Sequence, residues 1–143
     1  MANEILRLRL AQTMLFVGPL TTLLINPWGN FDPISVVKLT AVSTLAFLAL
    51  FLILSNHKIL SNADRPLRFS LIFFVLCLLS TFLFSGAPLN QQFWGMFGRN
   101  TGVLAYLSLG IIMLATAIVL DESFYARIVN ALIFTAIPMT AYC

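Results

Sequence analysis

Phe69-Ser70-Leu71-Ile72-Phe73-Phe74-Val75-Leu76-Cys77-Leu78-Leu79-Ser80-Thr81-Phe82-Leu83-Phe84 is the stretch that decides how this chain folds. It carries no charge, and Leu71 to Leu76 is apolar on every side. A transmembrane β-strand would alternate apolar and polar residues over about ten positions. A helix rises about 1.5 Å per residue, so a hydrocarbon core of about 30 Å needs about 20 apolar residues. The uncharged run around this stretch covers residues 69–98, which is 30 residues and long enough.

Four further uncharged runs flank it. They cover residues 10–31 (22 residues), 39–57 (19, including His57), 100–120 (21) and 128–143 (16). The spacing predicts an all-α polytopic transmembrane bundle of about five helices, near 10–26, 34–54, 69–85, 103–120 and 128–143, forming a single transmembrane domain over residues 1–143. The last run ends at Cys143 with no polar tail. That ending predicts a truncated frame or an N-terminal fragment of a larger membrane protein.

Composition points the same way. Hydrophobic residues make up 60% of the 143 and charged residues 9%, against about 25% charged in a soluble domain. So apolar a chain cannot cover a water-facing surface with polar groups, whereas a lipid-facing surface must be apolar. The start, Met1 to Arg9, is basic and precedes an apolar run, as in a signal peptide. Asn26-Pro27-Trp28-Gly29-Asn30 offers no small-residue cleavage site, so the segment reads as a retained anchor.

Short cytoplasmic loops are enriched in Lys and Arg. An N-terminus in the cytoplasm leaves Arg7, Arg9, Lys58, Arg65, Arg68 and Arg127 inside, and Lys38 and Arg99 outside. Trp28 and Trp94 then fall on the outer side with Phe31, Phe93 and Phe97 nearby, as an interfacial aromatic belt does. The net charge of +3 is a topology signal touching anionic lipid and calls for no nucleic acid.

The chemistry-bearing positions are few. Asp32-Pro33 suits the start of the second helix, an acceptor followed by a preset first-turn φ. Lys38 lies just inside that helix and either snorkels to the outer interface or faces the bundle interior and meets an anion. Gly18-Pro19 marks a kink in the first helix. Phe93, Trp94, Met96 and Phe97 suit a short helix lying in the outer interface. Gly98-Arg99-Asn100-Thr101-Gly102 then leads into the next helix. Asn100 or Thr101 can cap it, and Arg99 beside free first-turn N–H groups suits a phosphate. A capped helix with an interfacial arginine explains the same residues.

Asp121-Glu122-Ser123 reads as the acidic start of the last helix, and His57 as a loop histidine. Cys77 and Cys143 read as unpaired thiols at apolar sites. No Cys/His cluster supports a metal, no motif calls for a cofactor, and no phosphate loop, H-E-x-x-H or G-x-S-x-G occurs. Nothing forms a complete catalytic set.

Two places resemble the N-terminal portion of the O-antigen ligase and O-antigen polymerase family of bacterial membrane glycosyltransferases. One is Asn26-Pro27-Trp28-Gly29-Asn30-Phe31-Asp32-Pro33 followed by Lys38, where the family often has a Pro-Lys pair and this chain has Val37-Lys38. The other is Phe93-Trp94-Gly95-Met96-Phe97-Gly98-Arg99-Asn100-Thr101-Gly102, which resembles the family's Gly-Arg-Asn-Thr-Gly segment entering a helix. The resemblance covers most of this chain but only the first third or so of such an enzyme. The family's later region, with its large outer loop, further arginines and a histidine, has no counterpart here.

The resemblance implies a role in lipopolysaccharide or related polysaccharide biosynthesis at the bacterial inner membrane. A glycan on undecaprenyl diphosphate would pass to a lipid or sugar acceptor on the outer face. Arg99, and after it Lys38, Asn100 and Thr101, are the candidate contacts to the diphosphate. Two other classes compete: a small non-catalytic membrane subunit or scaffold, and a fragment of a transporter. A transporter would show polar or broken helices near the midplane, and the second and third helices offer mostly Ser, Thr and apolar residues there.

Overall fold

Long apolar runs with good helix formers give the chain its elements, and turn residues divide them. A computed structural model describes residues 2–24, 35–55, 59–60, 63–96, 101–119 and 122–142. Among them are six α-helices and no strand: α1 (Ala2–Leu23), α2 (Ser35–Ser55), α3 (Arg65–Phe84), α4 (Leu89–Trp94), α5 (Val103–Val119) and α6 (Glu122–Tyr142). The all-α expectation holds. The sixth helix is the short α4, Leu89–Trp94; of the four residues expected in a short interfacial helix, Phe93 and Trp94 lie in it, Met96 follows its end at Gly95, and Phe97 is outside the described residues.

Three helices start earlier than the charge gaps predict. α1 begins at Ala2 rather than near residue 10, α3 at Arg65 rather than 69, and α6 at Glu122 rather than 128, within the acidic Asp121-Glu122-Ser123 that the sequence marked as its start. An uncharged gap measures the apolar span, but a helix continues through Glu, Leu and Arg because all three are good helix formers. At α3 the cue is Asp64-Arg65-Pro66, with Asp64 at the N-cap and proline in the first turn, where its missing N–H costs nothing. Helix α1 runs on through Gly18-Pro19, and the Thr21 hydroxyl donates to the Val17 carbonyl at 2.7 Å.

α2 and α3 are long and apolar enough to cross a membrane; the apolar parts of α5 and α6 are shorter. α5 is the hub, contacting α1, α2, α3 and α4, while α6 packs on α1. The Arg7 guanidinium donates to the Val119 carbonyl at 3.5 Å, which sets the start of α1 against the end of α5. That placement also lets a cation meet the negative end of the α5 dipole.

The buried core gathers at this end. Leu10, Ala11 and Met14 of α1 meet Ala49 and Ile53 of α2, Ala115, Ile118 and Val119 of α5, and Phe124 of α6. Ile59 and Ala63 of the α2–α3 connection join them. The starts of α1, α3 and α6 and the ends of α2 and α5 therefore share one end of the molecule. Arg7, Arg9, Arg65, Arg68 and Arg127 belong to those three starts, and Lys38 belongs to the opposite end.

Small residues permit the close approaches. A Cβ on Gly18 would sit 3.2 Å from Leu132 Cδ2 of α6, and one on Gly110 would sit 3.4 Å from Phe74 of α3. Between α2 and α5, the buried Ser43 and Ser108 hydroxyls lie 3.3 Å apart, and Ser108 also donates to the Leu104 carbonyl at 2.7 Å. Hydroxyl pairs between packed apolar helices are worth about 0.6 kcal/mol on average. Ser43→Ala and Ser108→Ala should therefore couple by about that much in a double-mutant unfolding cycle. Coupling above about 2 kcal/mol would mean that the pair organises the bundle.

Among the long helices, only α3 has no buried residue among those described. Phe69, Phe73, Leu76, Leu83 and Phe84 are all exposed, and so is the free thiol of Cys77.

Candidate functional site

The segment that drew attention in the sequence ends at a close junction between α4 and α5. Ser85 closes α3, its backbone N–H donating to the Thr81 carbonyl at 3.0 Å. Gly86 then reverses the chain at φ 66°, and Ala87 N–H donates to Ser85 Oγ at 3.4 Å. Pro88 caps α4, and Gly95 ends it at φ 90° and ψ 177°, a backbone region that is essentially reserved for glycine. Phe93 and Trp94 meet edge to face with ring centroids 5.1 Å apart.

Gly102 locks this turn to α5. A Cβ there would overlap the Phe93 carbonyl and the Gly95 backbone nitrogen. Gly102 is buried, and its carbonyl accepts the Ala105 N–H at 3.0 Å and the Tyr106 N–H at 3.3 Å. Gly102 therefore holds the N-cap position that the sequence assigned to Asn100 or Thr101. Thr101 stands one residue outside the helix and is exposed. The backbone contact with α4 fixes where α5 begins, and only a residue without a side chain fits. Arg99 and Asn100 lie outside the described residues, as do Asp32-Pro33, Trp28, Phe97, His57, Lys58, Asp121 and Cys143.

Sequence reading missed Gln92. Its side-chain amide donates to the Ala87 carbonyl, while its Oε1 is buried with no hydrogen-bond partner among the described residues. A buried acceptor left unmet costs about 1–3 kcal/mol, so the junction calls for a donor from outside them. The available signal was Asn90-Gln91-Gln92, a polar trio inside a stretch of aromatics and glycines.

Lys38 is half-buried, one turn into α2, and has no hydrogen-bond or ion-pair partner among the described residues. Its height follows from the Ser43–Ser108 contact. Lys38 and Val103 each lie five residues nearer the helix start, about 7.5 Å up their respective axes. Lys38 and the start of α5 therefore share a level. Around the α2 axis Lys38 is about 140° from Ser43 but only about 20° from the buried Ala49, eleven residues on. It also lies on the seven-residue stripe with Leu45 and Leu52, which line a groove between α2 and α1.

At the opposite end a cleft of about 350 Å³ lies among Glu4, Arg7, Ser123 and Arg127. Arg127 donates through Nε to the Ser123 carbonyl and through Nη2 to its Oγ, both at 3.1 Å. These bonds tie the guanidinium to the first turn of α6. Among the described residues no group of three His, Cys, Asp or Glu side chains comes together.

No family model, curated protein or solved structure matches this chain.

Proposed function

We propose that the chain is a multi-pass protein of the bacterial inner membrane with its N-terminus in the cytoplasm, and that it serves as the N-terminal part of an O-antigen ligase- or polymerase-type glycosyltransferase. The apolar length of α2 and α3 supports the membrane reading. So does the gathering of arginines at the starts of α1, α3 and α6, with Lys38 at the other end, because cytoplasmic ends collect Lys and Arg. On this reading the exposed aromatic and aliphatic side chains of α3 face lipid, which needs no polar cover.

The observation that carries the enzymatic reading is the junction closed by Gly102. It fixes the start of α5 directly after Gly98-Arg99-Asn100-Thr101, the segment that resembles the family's own. A helix start offers unpaired N–H groups to an anion. In the proposed reaction, an acceptor hydroxyl attacks the anomeric carbon of a glycan held on undecaprenyl diphosphate. The bond to the diphosphate breaks, the diphosphate leaves with the electron pair, and the hydroxyl proton passes to a base outside this chain's described residues. Negative charge builds on the leaving group, and fixed cations and N–H donors lower the barrier electrostatically. Arg99 is the proposed diphosphate contact, with Thr101 and the first turn of α5 beside it. The unmet Gln92 Oε1 suits a sugar hydroxyl. Lys38, half-buried on the stripe it shares with Leu45 and Leu52, is the second candidate.

The chain reconstituted in bilayer nanodiscs should bind undecaprenyl diphosphate, and Arg99→Ala should weaken binding about tenfold, the loss of one charge-assisted contact of roughly 1.5 kcal/mol. Equal binding by the two proteins would remove Arg99 from the site. No binding by either would favour the competing reading, a non-catalytic membrane subunit or scaffold. The unburied surface of α3 favours that second reading, because it leaves an apolar helix face for another helix to cover.

A further inference from the structure

The groove between α1 and α2 combines one charged end with an apolar length. It holds about 490 Å³, within the range of small-molecule sites. At one end stand Arg9, Gln12 and Thr13; along its length run Phe16 and Leu20 of α1 against Leu45, Leu48 and Leu52 of α2. The polar end has a free cation. Arg9 is exposed and its guanidinium has no hydrogen-bond or ion-pair partner among the described residues, whereas Arg7, two residues away, turns to the Val119 carbonyl. The Thr13 hydroxyl donates to the Arg9 carbonyl at 2.9 Å and is spent inside the helix. The exposed Gln12 amide remains beside Arg9.

The dimensions match one leaflet. Arg9 to Leu20 is eleven residues, about 16 Å along a helix axis, and half of a hydrocarbon core of about 30 Å is about 15 Å. We propose that this groove seats one anionic glycerophospholipid of the cytoplasmic leaflet, with its phosphate on Arg9 and an acyl chain lying along Phe16, Leu20, Leu45 and Leu48. The inference rests on the membrane orientation proposed above and not on the glycosyltransferase reading. The commitment to an anionic lipid comes from the charge: a guanidinium forks onto phosphate oxygens, and among the described residues no carboxylate lines the groove to oppose it. The face of α3 is a useful contrast, since from Phe69 to Phe84 it has no charge to hold a headgroup in register.

The test uses the full chain extracted from vesicles containing equal phosphatidylglycerol and phosphatidylcholine, with retained lipid counted by native mass spectrometry. A basic side chain near an anionic headgroup is worth about 1 kcal/mol, or about fivefold. Wild type should retain phosphatidylglycerol about fivefold over phosphatidylcholine at a stoichiometry of one. Arg9→Gln should bring the ratio near one, and Arg9→Lys should restore part of it. Leu48→Trp, which fills the exposed groove, should cut retention of both lipids. Arg65→Gln, an exposed arginine at the same end on α3, should leave the ratio unchanged. Equal retention of the two lipids by wild type overturns the proposal, as does an equal loss in Arg65→Gln, which would mean a diffuse basic surface. A carbonate wash before extraction separates the two failures. Chain released by carbonate refutes the membrane reading and this site with it, while chain that stays but shows no preference refutes the site alone.

Discussion

Gly102→Ala should lower stability by about 3 kcal/mol, at the top of the range for overpacking a closed site, and Gly102→Val by at least as much. The new Cβ meets the Phe93 carbonyl and the Gly95 nitrogen, which are backbone atoms. A crowded side chain can change rotamer, but a backbone can yield only if α4 lifts from α5 or α5 begins further along. Gly86→Ala is the matched comparison. Unlike Gly102, Gly86 has a positive φ, 66°, yet nothing lies within 4 Å of the position its Cβ would take. It should cost only the left-handed backbone penalty, about 1 kcal/mol. Unfolding in mild detergent gives the two losses. Limited proteolysis between residues 95 and 102 reports whether α4 has come away. Gly102→Ala as stable as wild type would show that α4 docks elsewhere. If the proposed function is correct, the same substitution should also weaken binding of undecaprenyl diphosphate, since it moves the start of α5 without touching Arg99.

Phe124→Ala should cost about 3 kcal/mol and loosen α6. Phe124 is fully buried at the arginine-bearing end, in the cluster with Leu10, Met14, Ile118 and Val119. Large-to-small changes of this kind cost about 3–5 kcal/mol in water-soluble cores. The lower figure follows from the proposed membrane setting, where an apolar side chain gains little from leaving lipid and the cavity with its lost dispersion contacts makes up most of the loss. α6 packs mainly on α1, and Phe124 is its anchor at the start, with Leu132 against Gly18 further along. Tyr125→Ala, one residue on and exposed, should stay within about 0.5 kcal/mol. Equal losses at 124 and 125 would mean that α6 is held by its length in the bilayer and not by this contact.

Charge spacing made the helices legible. The spans predicted around the runs free of Asp, Glu, Lys and Arg, 34–54 and 103–120, match α2 and α5 to within about a residue at each end, because a charged residue is expensive inside an apolar span and cheap at its edge. The same rule misplaced the starts of α1, α3 and α6. Arg7, Arg9, Arg65, Arg68 and Arg127 end the apolar span but continue the helix, and their long stems leave the charged groups at the end of the molecule. At the candidate site the sequence marked out Gly98–Gly102 by composition, yet it assigned the helix cap to Asn100 or Thr101 by side-chain chemistry. Gly102 takes that position because α4 approaches too closely for any side chain, a tertiary constraint with no local signature.

The sequence by itself determined that the chain is helical, where its apolar runs lie, and which few residues carry charge. Those properties follow from local terms: helix propensity, the absence of charge, and proline and glycine at the ends. Only the tertiary structure decided that α5 is the hub and that Lys38 lies level with the start of α5. It also separated two arginines that the sequence could not tell apart. Arg7 turns inward to the end of α5, while Arg9 stands free at the mouth of a groove between α1 and α2. Two residues on a helix are rotated by about 200°, so neighbours in sequence face opposite sides, and which side is lined by a partner depends on helices that are distant in the chain.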